Sequence, residues 1–319
     1  MQITPVLFSL FCAAVVVFSA RYLAPILGLL DHPSVRKQHV GSVPLMGGIA
    51  LFIGAWMGLL VAFDSIELLI APFSASLMVL LVGVVDDRIE LRVWSRFLVE
   101  LVAVSIMVVG AEIALTNLGD LFGWGNIQLG WFAFPFTLIA VIGAINALNM
   151  VDGVDGLAGS LSLIALISMG LLAWQGGRAL EAWTALLFSV SIIPYLLCNL
   201  SVCGRKRRIF LGDGGSMVLG FVIAWLAIAL SQPEVGTARQ AVFAPVTALW
   251  LFAVPLVDTV AIMVRRLIKG QSPFLPDRDH LHHIVLRMGY RDRHALLFII
   301  LAALVLAGAG LWMEFAGVA

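Results

Sequence analysis

Asn146-Ala-Leu-Asn-Met-Val-Asp-Gly-Val-Asp-Gly-Leu-Ala-Gly-Ser160 is a polar knot set between two apolar runs, each long enough to cross a lipid bilayer. Asn146, Asn149, Asp152 and Asp155 bring oxygen acceptors at every third residue, while Gly153, Gly156 and Gly159 free the backbone to leave helical geometry. Oxygen donors beside bare backbone suit a hard cation and phosphate. Polarity in such surroundings is costly, so the knot marks both where two membrane helices end and where chemistry belongs.

The rest of the chain supports that setting. Of its 319 residues 61% are apolar and 12% charged, and the mean hydropathy is +1.06. A soluble domain carries about half apolar and a quarter charged residues, so this is an all-α, polytopic transmembrane bundle with no soluble domain boundary in residues 1–319. Cys12, Cys198 and Cys203 have no spacing of a disulfide framework or a zinc site. The start is apolar but lacks a basic lead and a small-residue cleavage site, so the first segment reads as a retained span.

Apolar runs of about twenty residues give ten candidate spans, near 3–20, 44–63, 68–85, 97–115, 131–149, 157–175, 181–200, 215–231, 241–264 and 295–317. Pro135, Pro194 and Pro255 mark places for bends in the fifth, seventh and ninth. Alternating the connections puts Arg36, Lys37, Arg88, Arg92, Arg96, Arg205 to Arg208, Arg265, Arg266, Lys269, Arg278, Arg287, Arg291 and Arg293 on one side and only Arg178 and Arg239 clearly on the other. The positive-inside rule makes the first side cytoplasmic. The same parity brings Asp86-Asp87, the knot, Asp213 and the segment up to His283 to that face.

Each motif has a chemical and a plain reading. Asp86-Asp87 ends an apolar run; adjacent carboxylates there either share a cation or force one pKa upward, and they oppose the helix dipole if they merely cap the helix. In Gly212-Asp-Gly-Gly215 the next helix begins with amides suited to an anion and a carboxylate suited to a cation. The run Arg205 to Arg208 reads as a topology signal. Between Ser272 and His283, three histidines with Arg278 fit a clamp on diphosphate and sugar hydroxyls better than zinc. Within the spans, Glu100 reads as a structural hydrogen-bonding group, and Asp258 stays undecided.

Val85-Asp-Asp-Arg88, Asn146 to Gly156, Phe210-Leu-Gly-Asp213 and Pro276-Asp-Arg-Asp-His-Leu-His-His283 together resemble the polyprenyl-phosphate N-acetylhexosamine-1-phosphate transferases, in order and spacing over nearly the whole chain. The resemblance is nearer to the bacterial branch using undecaprenyl phosphate and UDP-N-acetylglucosamine than to the muramoyl-pentapeptide branch, whose histidine loop differs. It implies Mg²⁺, with Mn²⁺ as an alternative, at Asn149 and Asp213; Asp86, Asp87 and Asp152 as catalytic; and Asp155, Arg96, Arg278, His280, His282 and His283 as substrate-binding. It further implies the bacterial inner membrane, a cytoplasm-facing site, a place at the first membrane step of a cell-envelope glycan such as O-antigen, no nucleic-acid partner, and compatibility with a homodimer. Members of this family often continue to a further span and basic tail, so the chain reads as a shorter or truncated version. The alternatives are a relative using another UDP-N-acetylhexosamine and, from another class, an ion-coupled transporter, which needs polar residues at mid-depth in several spans.

Overall fold

A computed structural model describes residues 3–33, 41–65, 67–121, 123–234, 236, 240–270 and 280–317. The helices are α1 (Thr4–Leu27), α2 (Gly47–Ala62), α3 (Glu67–Ile89), α4 (Val93–Gly110), α5 (Ala133–Val151), α6 (Leu157–Gln175), α7 (Ala179–Asn199), α8 (Asp213–Ser231), α9 (Pro245–Leu251), α10 (Ala253–Ile268), α11 (Leu281–Arg287) and α12 (Asp292–Phe315). The only paired strands among the described residues are β1 (Leu30–Asp31) and β2 (Val43–Pro44), antiparallel.

Eight of these helices are long and apolar enough to cross a membrane, α9 and α10 form a bent pair, and α2 is a shorter apolar helix of 16 residues. At about 1.5 Å per residue, α2 falls short of the roughly 30 Å hydrocarbon core. It can do so because it packs against α1, α7 and α8 inside the bundle. About ten spans therefore stand, with one correction. The ninth is not a single bent helix: α9 and α10 meet at 87°. Pro255 lacks an amide hydrogen and is best placed where a helix has no use for one, in its first turn, and the chain restarts at Ala253, just before it. Pro135 likewise sits in the first turn of α5, and Pro194 lies inside α7, which remains one helix.

The centre of the bundle is α8, buried along nearly its whole length and packed by α5, α3, α2 and α6. Bare backbone permits the tightest of these approaches. A Cβ on Gly83 of α3 would lie 2.4 Å from the Cα of Gly214. A backbone seam then fixes where α8 begins: Phe210 donates its N–H to the Pro44 carbonyl, while Gly47 and Gly48 donate to the carbonyls of Phe210 and Leu211, at 2.8 to 2.9 Å. The start of α8 is thus tied to two neighbours before any side chain of the polar cluster is considered.

Candidate active site

The ends of α3 and α5 and the starts of α4 and α8 meet in one polar cluster, beside an open cleft of about 300 Å³ lined by Leu45, Asp86, Asp87, Glu90, Leu91, Arg96 and Asp213. Asp86 and Asp87 occupy the last turn of α3 and are not a solvated pair. Asp86 is 6% exposed. Its Oδ1 accepts the Leu91 N–H at 2.6 Å, and its Oδ2 accepts Arg96 Nη1 at 2.5 Å. Arg96 also faces Asp213, with Nη1 3.8 Å from Oδ2.

Asp87 turns the other way. The backbone N–H groups of Asp213 and Gly214 donate to its two oxygens at 2.9 and 3.3 Å, the interaction a helix N-terminus offers an anion. The amides expected to face an anion do so, and the anion is Asp87. Gly212 makes the approach feasible, since a Cβ there would lie 2.6 Å from Asp87 Oδ2.

Near the end of α5, Asn149 donates through Nδ2 to Asp213 Oδ1 and to Ser216 Oγ, both at 3.0 Å. Both bonds use the amide nitrogen, so the amide oxygen and the 42% exposed Asp213 side chain are the donors able to turn toward a cation. Asp152, just beyond α5, is pushed up to about 8 by burial first and then by Asp213, Asp87 and Asp155. Such crowding of carboxylates is what a hard dication relieves. Among the described residues no three His, Cys, Asp or Glu side chains form a ready-made metal cage. Mg²⁺ commonly needs only one or two protein oxygens beside substrate phosphates and water, so the donors present fit it.

Asp155 pairs with Arg208, whose guanidinium lies 4.9 Å from the Phe210 ring centroid. One member of the basic run expected to report topology therefore reaches the knot. Glu100, read as a structural hydrogen-bonding group, accepts from Asn146 Nδ2 at 3.2 Å, which ties it to the knot. The undecided Asp258 accepts from His280 Nδ1 at 2.9 Å and from the Leu281 N–H at 2.8 Å. Arg208, Ser216 and Asp258 were not among the residues picked from sequence. The only signal for Asp258 was its being an acid within a span.

The histidine segment packs on the knot. His282 is 3% exposed, its ring parallel to His280 with centroids 5.7 Å apart and 4.1 Å from His283. A Cβ on Gly153 would lie 2.4 Å from His282 Nε2, so the glycine is what lets the segment close against the turn. Burial, with His283 and His280 adding to it, lowers His282 to about 4; the ring is a neutral packing element near pH 7. Arg278, Arg36 and Lys37 lie outside the described residues. A second hollow, under the α9–α10 break, is lined by apolar groups such as Leu161, Trp250, Phe252, Pro255 and Leu306 and offers phosphate nothing.

Residues 68–231, which include Asp86, Asp87, the knot and Asp213, match the profile of glycosyl transferase family 4. The chain is 41% identical over 300 residues to the undecaprenyl-phosphate alpha-N-acetylglucosaminyl 1-phosphate transferase of Salmonella typhi, an alignment covering 94% of this chain and 80% of that one. Proteins of the same name from Yersinia pestis (41% over 294 residues, 92% and 79% covered) and Haemophilus influenzae (38% over 295 residues, 92% and 82% covered) are similar to it as well.

Proposed function

The chain belongs to glycosyl transferase family 4, and from that premise we propose that it transfers N-acetylglucosamine 1-phosphate from UDP-N-acetylglucosamine to undecaprenyl phosphate, giving the lipid diphosphate sugar and UMP. The observation that carries the reading is the meeting of Asp86, Asp87, Arg96, Asn149 and Asp213 from four helix ends in a multi-pass bundle. An acceptor with a long hydrocarbon tail and a soluble nucleotide sugar require such a place, at the end of the spans and open to water.

Asn149 and Asp213 would hold Mg²⁺, or Mn²⁺, which when bound offsets the charge of two mutually repelling phosphates. The protein's own groups do the rest. An oxygen of the lipid phosphate forms a bond to the donor's β-phosphorus, and the bond from that phosphorus to the bridging oxygen breaks, UMP keeping the oxygen. A phosphate monoester is largely ionised near neutral pH, its second pKa being about 6, so positioning and charge neutralisation matter more than deprotonation. Arg96, anchored by Asp86, supplies a fixed cation beside the cleft. Asp87 is held by two amides and serves as a charge organiser. Asp152 keeps or yields a proton as the surrounding charge changes, Asp155 with Arg208 faces the uracil end, and His280 and His283 take the sugar and diphosphate.

The reading also sets the cluster on the cytoplasmic side of the bacterial inner membrane. Purified protein given a panel of UDP-sugars with Mg²⁺ should release UMP from UDP-N-acetylglucosamine only when undecaprenyl phosphate is added. Release with another donor alone would replace the substrate, and release without lipid phosphate would replace direct attack by a covalent route. Single cysteines at Gly41 and Gly176, with the native three removed, should label from the cytoplasm and from outside respectively.

A further inference from the structure

Asp258 lies in α10, beyond the break, and 22 residues separate it from His280. Both side chains are 7% exposed. One carboxylate oxygen accepts His280 Nδ1 at 2.9 Å, and the other accepts the Leu281 N–H at 2.8 Å, at the first residue of α11. A backbone N–H can only donate, so Leu281 commits one oxygen whatever the pH. The other faces a ring nitrogen and, being an acceptor, keeps the proton on that nitrogen. The Nδ1–H tautomer follows, and Nε2 is presented as the free acceptor.

We infer that Asp258 is a positioning residue for the donor's sugar and diphosphate groups: it fixes both the tautomer of His280 and the place where the chain re-enters the site at α11. This rests on the function proposed above for its chemistry, and on geometry alone for the tautomer. The neighbours reinforce it, since His280 stacks on His282, which is seated against Gly153 of the knot. A rotation of the His280 ring would disturb that stack, so a carboxylate in the interior of one helix sets the orientation of a group at the site.

Asp258→Asn separates this role from mere packing. Its amide oxygen must still serve the Leu281 N–H, which turns the amide NH₂ toward His280 Nδ1 and makes that nitrogen the acceptor; the ring then changes to the Nε2–H form with little change in shape. In nitrogen-15 spectra of histidine-labelled protein, His280, assigned by its loss in His280→Ala, should be Nδ1–H in wild type and Nε2–H in Asp258→Asn. This measurement does not need turnover. A wild-type Nε2–H ring, or the same tautomer in both proteins, would overturn the inference even if the transferase reading stands. In steady-state assays Asp258→Asn should lower kcat/KM for UDP-N-acetylglucosamine on the order of tenfold, the lower end of what orienting partners of metal-bound histidines contribute, with KM for undecaprenyl phosphate little changed. In the His280→Ala background the same substitution should have no further effect. Independent, multiplying losses in the double variant would show that Asp258 acts otherwise than through His280. Absence of any transfer by wild type would defeat the substrate reading while leaving the tautomer result intact.

Discussion

The two ends of the bundle are both polar, yet they are built on opposite plans. At the end away from the cleft charges and amides meet matching partners: Arg178 through Nη2 with Glu181 at 2.5 Å, although its Nε and Nη1 find none, Glu314 accepting from Thr247 Oγ1 at 2.6 Å and from the Ala244 N–H at 3.2 Å, and Gln232 satisfying Thr116 and Asn117 at 2.9 to 3.1 Å. At the cleft end Asp86, Asp87, Asp152, Asp155 and Asp213 crowd together with Arg96 and Arg208 between them. Hydrogen bonding alone does not distinguish a site from a brace. Uncompensated like charge does, because it stores a cost that proton uptake or a bound cation relieves.

The comparison breaks if removing charge at the cleft end harms the fold. Asp213→Asn and Asn149→Ala should each lower turnover on the order of a thousandfold, the scale for losing a key electrostatic contact. For Asp213→Asn the melting temperature should stay the same or rise, since that change relieves repulsion; Asn149→Ala gives up two hydrogen bonds and should lower it slightly. A large fall in melting temperature with near-normal turnover at limiting Mg²⁺ would make the cleft a brace.

At the other end the expectation reverses. Gln232→Ala takes the acceptor away from partly buried donors on Thr116 and Asn117 and should cost about 1–2 kcal/mol, with turnover per folded molecule unchanged. Glu314→Gln keeps the shape and an acceptor and should cost only about 1 kcal/mol. Denaturation in detergent read beside activity tests both.

The smallest effect concerns pH. His282 is near 4 in the folded protein against an ordinary 6.5, so between those values the unfolded chain binds more protons and stability falls as pH falls from 6.5 to 4. His282→Gln should flatten that part of the profile. An unchanged slope would mean that the ring is not held neutral.

What could be read from sequence was whatever repeats along the chain. Apolar length gave the spans, and the charges that interrupt it gave the helix ends where Asp86, Asp87, Asn149 and Asp213 come together. Pairings outside the motifs were not legible, because nothing local encodes them: Asp258 finds His280 across 22 residues, and Gln232 finds Thr116 across 116. Arg208 was hidden by its company, since one arginine of a basic run looks like the others until Asp155 and Phe210 single it out. The break at Phe252 was half visible: Pro255 pointed to a bend, but an uninterrupted apolar run reads the same whether it crosses straight or turns through 87°.

The contact of Gly83 with Gly214 has a consequence for how this protein tolerates change. Gly83 is one turn before Asp87 on α3, and Gly214 follows the residue whose amide holds Asp87. One added methyl group would wedge the two helices apart and unhook a carboxylate that the methyl never touches. A random-mutagenesis screen for inactive yet membrane-inserted protein should therefore recover alanine at these two glycines alongside losses of the aspartates, and a map of intolerant positions drawn from it would extend a full turn deeper into the lipid than the chemistry does.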